Sequence, residues 1–341
     1  VDTLALGAAV AGLRRSDPRA PGIARVPGST GFSYRNPAGT PVTDAETLTR
    51  IRALAIPPAW DHVWISPDPS GHIQATGTDS RGRLQYRYHE LWRQQRDAQK
   101  FEHMLRFAGA LPTLRAAALR DLRARGLSRD RVIASAVRLI DLGLFRIGGE
   151  RYAELDHHYG VATLLKRHVS VVRGGINFDY IAKEGKRRAI TISDPAIVAA
   201  VRSLARSDNG LDALFCWPQG GAWHVLHSHD VSDYIAVRAG GHFTAKEFRT
   251  WNATVLMALL LANAEPAPTA RQRQQVVAAC IRGVAEWLGD TPAVARKSYV
   301  DPRLISRYEG HGQLPSISGL PVTLPASDEA ELAVASLLAG R

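Results

Sequence analysis

Along the first eighty or so residues, apolar and polar positions alternate in short runs. Residues 23–26, 32–34, 63–65 and 72–76 read as strands, punctuated by turn pairs such as Asn36-Pro37 and Asp68-Pro69. One helix is predicted over 44–54 with Thr43 as its cap, and another within the first twenty residues, ahead of a Ser-Asp-Pro-Arg break. From about Glu90 the spacing becomes helical, with Leu91, Phe101, Leu105, Leu114, Leu119 and Leu122 recurring among Arg and Gln. Residues 133–144 form the most apolar helix to that point. Three strands follow at 168–172, 176–182 and 187–192, separated by glycine-bearing gaps as hairpin turns require. Helices resume near Ile197, Val231, Ala245 and Arg271. The pattern predicts an α+β protein: a small N-terminal mixed β-sheet domain over 1–89, then a mainly α-helical domain with a three-stranded β-meander over 90–341. After about 310 the chain is Pro/Ser-rich and then turns to a short Ala/Leu helix.

Composition narrows the class. With 45% apolar and 22% charged residues in 341, disordered and fibrous classes are excluded. The longest apolar run, 253–262, is about half of what a bilayer requires. No export signal is expected at the start of the chain. Two cysteines, Cys216 and Cys280, cannot build a disulfide framework or a zinc cage and read as buried hydrophobes. His157-His158 has no partners at metal-binding spacing, and Trp217, Trp223 and Trp287 read as core. The net charge is +11, from 43 Lys and Arg against 32 Asp and Glu; 37 of the 43 are Arg. Residues 81–151 hold 16 basic and 7 acidic side chains, and so +9 of that charge. A basic surface suits a polyanionic partner, although solvated helix faces would show the same excess.

Five short patterns carry candidate chemistry. In 79–88, Arg81, Arg83 and Arg87 interleave with Gln85, Tyr86 and Tyr88. Residues two apart share a face of an extended segment. Gln85 can then read a base edge while the tyrosines pack on sugar or base and the arginines hold phosphates; a strand end with its tyrosines in the core fits equally. Arg146 closes an apolar helix just before Gly148-Gly149, where its fork needs a phosphate or a buried carboxylate. Lys183 sits in a hairpin turn, either as an ordinary turn residue or as an ammonium delivered into a groove to donate a proton. Lys246 and Arg249 share a helix face and repel unless an anion lies between them. Tyr299 lies beside Arg296 and Lys297, and nearby cations favour the nucleophilic phenolate.

In order and spacing these patterns resemble the type IB DNA topoisomerases, specifically the poxvirus/bacterial branch. That family is similar in having an Arg at the end of an apolar helix, a hairpin Lys 37 residues later, Lys-x-x-Arg, then Leu-Gly-(His/Asn)-Thr-Pro with a Tyr nine residues after the His or Asn. The Gly-Arg-x-Gln-Tyr-x-Tyr strand also looks like this family's, and the likeness covers roughly residues 20–305. The resemblance implies a catalytic domain shared with tyrosine recombinases. It also implies a C-shaped clamp, joined near 88–92 and lined by the basic stretch, acting as a monomer on double-stranded DNA in the cytoplasm, nucleoid-associated. It implies that Tyr299 attacks the scissile phosphate, giving a 3′-phosphotyrosyl bond and a free 5′-hydroxyl. Arg146 and Arg249 would clamp the non-bridging oxygens, Lys183 would protonate the leaving oxygen, Lys246 would support that transfer, and Tyr152 would contact DNA. Strand rotation and religation would then relax supercoils with no ATP, metal or other cofactor. One position departs from the pattern: Asp290 stands where the family has His or Asn. An ionised carboxylate accepts but cannot donate, so it should repel the phosphate or hold a proton, and slow cleavage. Two alternatives carry the same residues: a tyrosine recombinase, whose usual His-x-x-Arg is here Lys-x-x-Arg, and a DNA-binding clamp weakened at Asp290.

Overall fold

The structure is a computed structural model that describes residues 12–29, 31–143, 145–314 and 317–340, with the backbone alone at 143, 151 and 152. The helix expected in the first twenty residues lies largely outside this range. Residues 12–20 form turns and a bridge between Arg14 and Gly71. The chain divides into two compact units, Val1–Glu102 and His103–Arg341.

The first unit contains β1 (Ile23–Gly28), β2 (Gly31–Arg35), α1 (Ala45–Ala53), β3 (Asp61–Ile65), β4 (Ile73–Thr78) and β5 (Leu84–Tyr88), in the sheet order β2-β1-β3-β4-β5. Every pairing among these five strands is antiparallel, not mixed as the sequence suggests. The turns joining β1 to β2, β3 to β4 and β4 to β5 are too short for the crossover that parallel strands need. One face packs Ile23, Val63, Ile65 and Ala75 against Ile51 of α1. The cap of α1 is Asp44 and not Thr43: its carboxylate accepts the Thr47 N–H at 2.7 Å, satisfying an otherwise orphaned donor of the first turn. A 33-residue helix, α2 (Glu90–Leu122), follows, and the division between the units falls within it.

The second unit is helical around α7 (Ala245–Ala262). Every residue from Phe248 to Leu259 is buried, so this helix is the centre of the unit and not an amphipathic surface element. Around it lie α3 (Arg129–Gly143), α6 (Ser228–Ala239), α8 (Ala270–Leu288), α10 (Pro302–His311) and α11 (Asp328–Leu338). The expected meander forms as β6 (Val169–Val172), β7 (Gly175–Ile181) and β8 (Arg187–Ile192), antiparallel in that order, against α5 (Pro195–Ala205). Its apolar face inserts Ile176, Phe178 and Tyr180. The sequence pattern did not indicate three short elements: α4 (Glu150–Asp156), the hairpin of β9 (Cys216–Gln219) with β10 (Ala222–Val225), and α9 (Pro292–Ser298). The hairpin leaves Trp223 exposed, correcting its assignment to the core; Trp217 is buried and Trp287 half-buried. Cys216 and Cys280 are buried free thiols, as expected.

The basic stretch is less free than its arithmetic suggests. Arg115, Arg129, Arg138 and Arg146 each pair with a carboxylate from outside it, namely Glu331, Asp230, Asp194 and Asp290. Arg115 is fully engaged, bidentate to Asp141 at 2.9 and 2.9 Å and to Glu331 at 2.8 and 2.9 Å. Counting charge within a window missed partners supplied by distant sequence, so part of the excess is structural. Among the described residues no helix is long and apolar enough to cross a membrane.

Candidate active site

Two polar residues on the buried helix α7 join the segments that matter. Asn252 donates to the Asp141 carbonyl at 3.3 Å, near the end of α3, and Thr254 donates to the Tyr299 carbonyl at 3.1 Å. Buried side-chain groups find partners because leaving one unmade costs about 1–3 kcal/mol. Here the partners lie just before Arg146 and at Tyr299 itself. Phe145 fixes the exit of α3 by packing edge-on against Phe178 and stacking on Tyr180. After Arg146 the backbone of Gly148, at φ 84°, runs against Gly160; a Cβ on Gly148 would lie 2.9 Å from the Gly160 Cα, so the position requires glycine.

Arg249 lies about one turn into α7 and is almost wholly buried. Its burial pushes the guanidinium pKa below the ordinary value, with Tyr299 and Asp290 opposing the shift and Arg146 reinforcing it. The Asp290 carboxylate answers both arginines. Its Oδ2 accepts from Arg146 Nη2 at 2.7 Å and from Arg249 Nη2 at 2.9 Å. Asp290 thus bridges Arg146 and Arg249, whereas the pair that spacing singles out is Lys246 and Arg249. Of the two partners expected for Arg146, the carboxylate is the one the structure holds. The Arg249 guanidinium also lies 5.1 Å from the centroid of the Tyr299 ring.

A cavity beside this cluster is lined by Arg146, Lys183, Arg249, Lys186, Arg188 and Tyr180, with Tyr159, Ala182, Leu288 and Gly289. Lys183 reaches it from the β7–β8 turn, where its exposed amine lies 3.9 Å from the Glu184 carboxylate. Burial pushes the Tyr180 phenol up to about 12 despite three neighbouring arginines. Lys246 is exposed in the first turn of α7 and does not line the cavity. Sequence reading missed Tyr180, Lys186 and Arg188. Their only signal was proximity to Lys183, and a basic run on a hairpin reads as a solvated turn.

In the first unit, β5 is an edge strand and Tyr86 and Tyr88 stack 5.8 Å apart on one face, as the alternation predicts. Tyr86 is exposed; Tyr88 is half-buried, which raises its pKa. Arg83 Nε and Gln85 Nε2 both donate to Asp79 Oδ2 at 2.9 Å, so these two side chains are held by a carboxylate. Arg81 is exposed, and its main-chain N–H donates to Asp79 Oδ1 at 3.0 Å. Hydrogen bonds led by Arg83 hold the Asp79 carboxyl at about 2. Tyr152 falls in α4, but its side chain lies outside the described residues.

Residues 89–311 match the model of the eukaryotic DNA topoisomerase I catalytic core, and 31–79 match that of the bacterial DNA topoisomerase IB N-terminal domain. The chain belongs to the type IB DNA topoisomerase family. It is accordingly an isomerase, and the pairing of these two models fits the bacterial-type architecture. A DNA topoisomerase 1B of Acanthamoeba polyphaga mimivirus is 32% identical over 272 residues, covering 77% of this chain and 80% of that one. DNA topoisomerase 1 of Mycosarcoma maydis is 25% identical over 187 residues, and DNA topoisomerase 1 beta of Arabidopsis thaliana 25% over 169; the matches cover 18% and 17% of those longer proteins. Residues 312–341, with α11, lie beyond the matched core.

Proposed function

We propose that this topoisomerase relaxes supercoiled DNA by cutting one strand through a 3′-phosphotyrosyl intermediate at Tyr299, allowing rotation, and resealing. The carrying observation is the single anion seat shared by Arg146 and Arg249, with the Tyr299 ring against Arg249 and Lys183 lining the adjoining cavity. In-line transesterification needs a nucleophile, neutralisation of two non-bridging oxygens, and a proton for the leaving oxygen. Tyr299 Oη gives up its proton to solvent and forms a bond to phosphorus as the P–O5′ bond breaks. The arginines stabilise the charge, each donor contributing roughly 3–4 kcal/mol. The Lys183 ammonium gives its proton to the 5′-oxygen, and religation reverses each step. The phosphotyrosine retains the bond, so no ATP is consumed, and the cationic side chains take the charge that a metal would otherwise hold.

The phosphate enters by displacing Asp290, which makes this a slow member of its family. Lys246 contributes to the field around the phosphate from the first turn of α7. Gln85, Tyr86, Tyr88, Arg81, Arg83 and Tyr152 contact the duplex, with Gln85 and Arg83 leaving Asp79 to do so. The catalytic unit shares its architecture with tyrosine recombinases. The two domains, 1–89 and 90–341, close around double-stranded DNA as a C-shaped clamp, and one copy acts alone on the chromosome in the cytoplasm. The test is relaxation of supercoiled plasmid in EDTA without ATP. Relaxation by the native chain and not by Tyr299→Phe supports the proposal. Binding without relaxation would mean a disabled clamp, and strand exchange between paired sites a recombinase.

A further inference from the structure

The C-terminus of α8 has an unusual set of partners. The last carbonyls of a helix have no intrahelical donor, and they carry the negative end of its dipole. Two are satisfied locally, Glu286 by Gly289 N–H at 3.0 Å and Ala285 by Asp290 N–H at 2.9 Å. The next three receive cations. Trp287 O accepts from Arg188 Nη1 at 3.3 Å, Leu288 O from Arg249 Nη2 at 3.0 Å, and Gly289 O from Lys186 Nζ at 3.4 Å. Arg188 and Lys186 both come from the β8 side of the hairpin whose tip carries Lys183. Arg188 packs so closely that a Cβ on Gly289, already at φ 65°, would lie 2.7 Å from its Nη1. It also interacts with the Tyr180 hydroxyl, and Tyr180 stacks on Phe145, next to Arg146.

We propose that Arg188 is a positioning residue for proton delivery: by holding the β7–β8 hairpin to the end of α8, it fixes Lys183 relative to the Arg146–Arg249 seat. The inference rests on the reading of Lys183 as proton donor. Lys183 itself is exposed on a short tip, so its placement depends on how the hairpin is fastened. The fastening lies five residues away, on the turn that also carries Asp290. Without Arg188 the seat remains, because Arg249 still bonds Leu288 O, but the tip is no longer registered against it.

The effect on the proton can be separated from an effect on the phosphate. In a duplex whose scissile 5′-oxygen is replaced by sulfur, Tyr299 Oη–P forms as P–S breaks. The leaving thiolate, whose conjugate acid titrates near about 8.5, departs without a proton. Single-turnover cleavage of the oxygen and sulfur duplexes would be compared for the full native chain, Lys183→Ala, Arg188→Ala, Arg188→Lys and Gly289→Ala. General acid catalysis contributes about 10²–10⁴-fold, so Lys183→Ala should lose at least about 100-fold on oxygen and recover on sulfur. Arg188→Ala should lose about 10- to 100-fold on oxygen and likewise recover, because the donor is displaced and not removed. Arg188→Lys, which keeps a cation for Trp287 O, should stay near native. Gly289→Ala perturbs the same contact from the other side and should repeat the oxygen-selective loss if Arg188→Ala does not fold. Equal losses on both duplexes, or no loss, would overturn the inference while a rescued Lys183→Ala leaves the proton-donor reading standing. An unrescued Lys183→Ala overturns both.

Discussion

Replacing Asp290 by Asn tests how an anion already in the seat sets the rate. Asp290 Oδ2 accepts two charge-assisted hydrogen bonds, and the three side chains involved are 24% (Arg146), 5% (Arg249) and 7% (Asp290) exposed, so solvent screens the interaction weakly. A phosphate must break at least one of these bonds to take its place, at about 1.5–3 kcal/mol for a hydrogen bond to a charged group. At 1.36 kcal/mol per factor of ten, that is about 10- to 150-fold in rate. Asn keeps the shape and one acceptor but gives up the charge. Asp290→Asn should therefore cleave about 10- to 150-fold faster in single turnover under saturating enzyme. It should also be less stable without DNA, by about 1–3 kcal/mol, since the buried Arg249 and the partly buried Arg146 lose their shared carboxylate. Rapid-quench cleavage of a suicide duplex, paired with thermal unfolding with and without DNA, reads both effects. A variant that is destabilised yet cleaves no faster would refute the displacement argument.

Arg146→Ala and Arg249→Ala should each slow cleavage by about 10²–10³-fold while a filter-binding assay shows duplex affinity within a few-fold of native. Glu331→Ala removes two hydrogen bonds of Arg115 while Asp141 still holds the guanidinium, and should cost about 1–3 kcal/mol in urea unfolding, which would show that α11 stabilises the catalytic unit. Asp79 makes a pH prediction. Its folded pKa is about 2, below the usual carboxylate value, so its contribution is present above about pH 4 and lost as pH falls through about 2. The difference in amide exchange of the 79–85 turn between native and Asp79→Ala should be full at pH 5 and shrink towards pH 2; a constant difference would contradict the assignment.

What the sequence made legible follows from how local each signal was. Strands β1, β2, β3 and β4 and helices α5, α7 and α8 are set by short-range periodicity and lie within a few residues of their expected positions. The β9–β10 hairpin was missed because four-residue strands with Trp217-Pro218 in one of them show no alternation. At the site, Arg146, Lys183, Arg249 and Tyr299 were legible as a spaced series. The Asp290 bridge was not, because nothing local links Arg146 to a residue 144 positions away. The same blindness to distance made the basic stretch look freer than it is, with Glu331 and Asp230 arriving from helices far along the chain. Arg188 was invisible for the converse reason: its neighbours are basic, and only folding reveals that it faces helix carbonyls instead of solvent.

The most direct measurement of the central claim traps the reaction with detergent and asks where the DNA is joined. A duplex nicked by this protein would be labelled on either end of the cut strand, denatured in SDS, and the labelled protein digested for mass spectrometry. Attack by Tyr299 should transfer the 5′-labelled fragment alone, through its 3′-phosphate, to the peptide containing that residue. Transfer of the 3′-labelled fragment, attachment at any other residue, or retention of the adduct in Tyr299→Phe would contradict it.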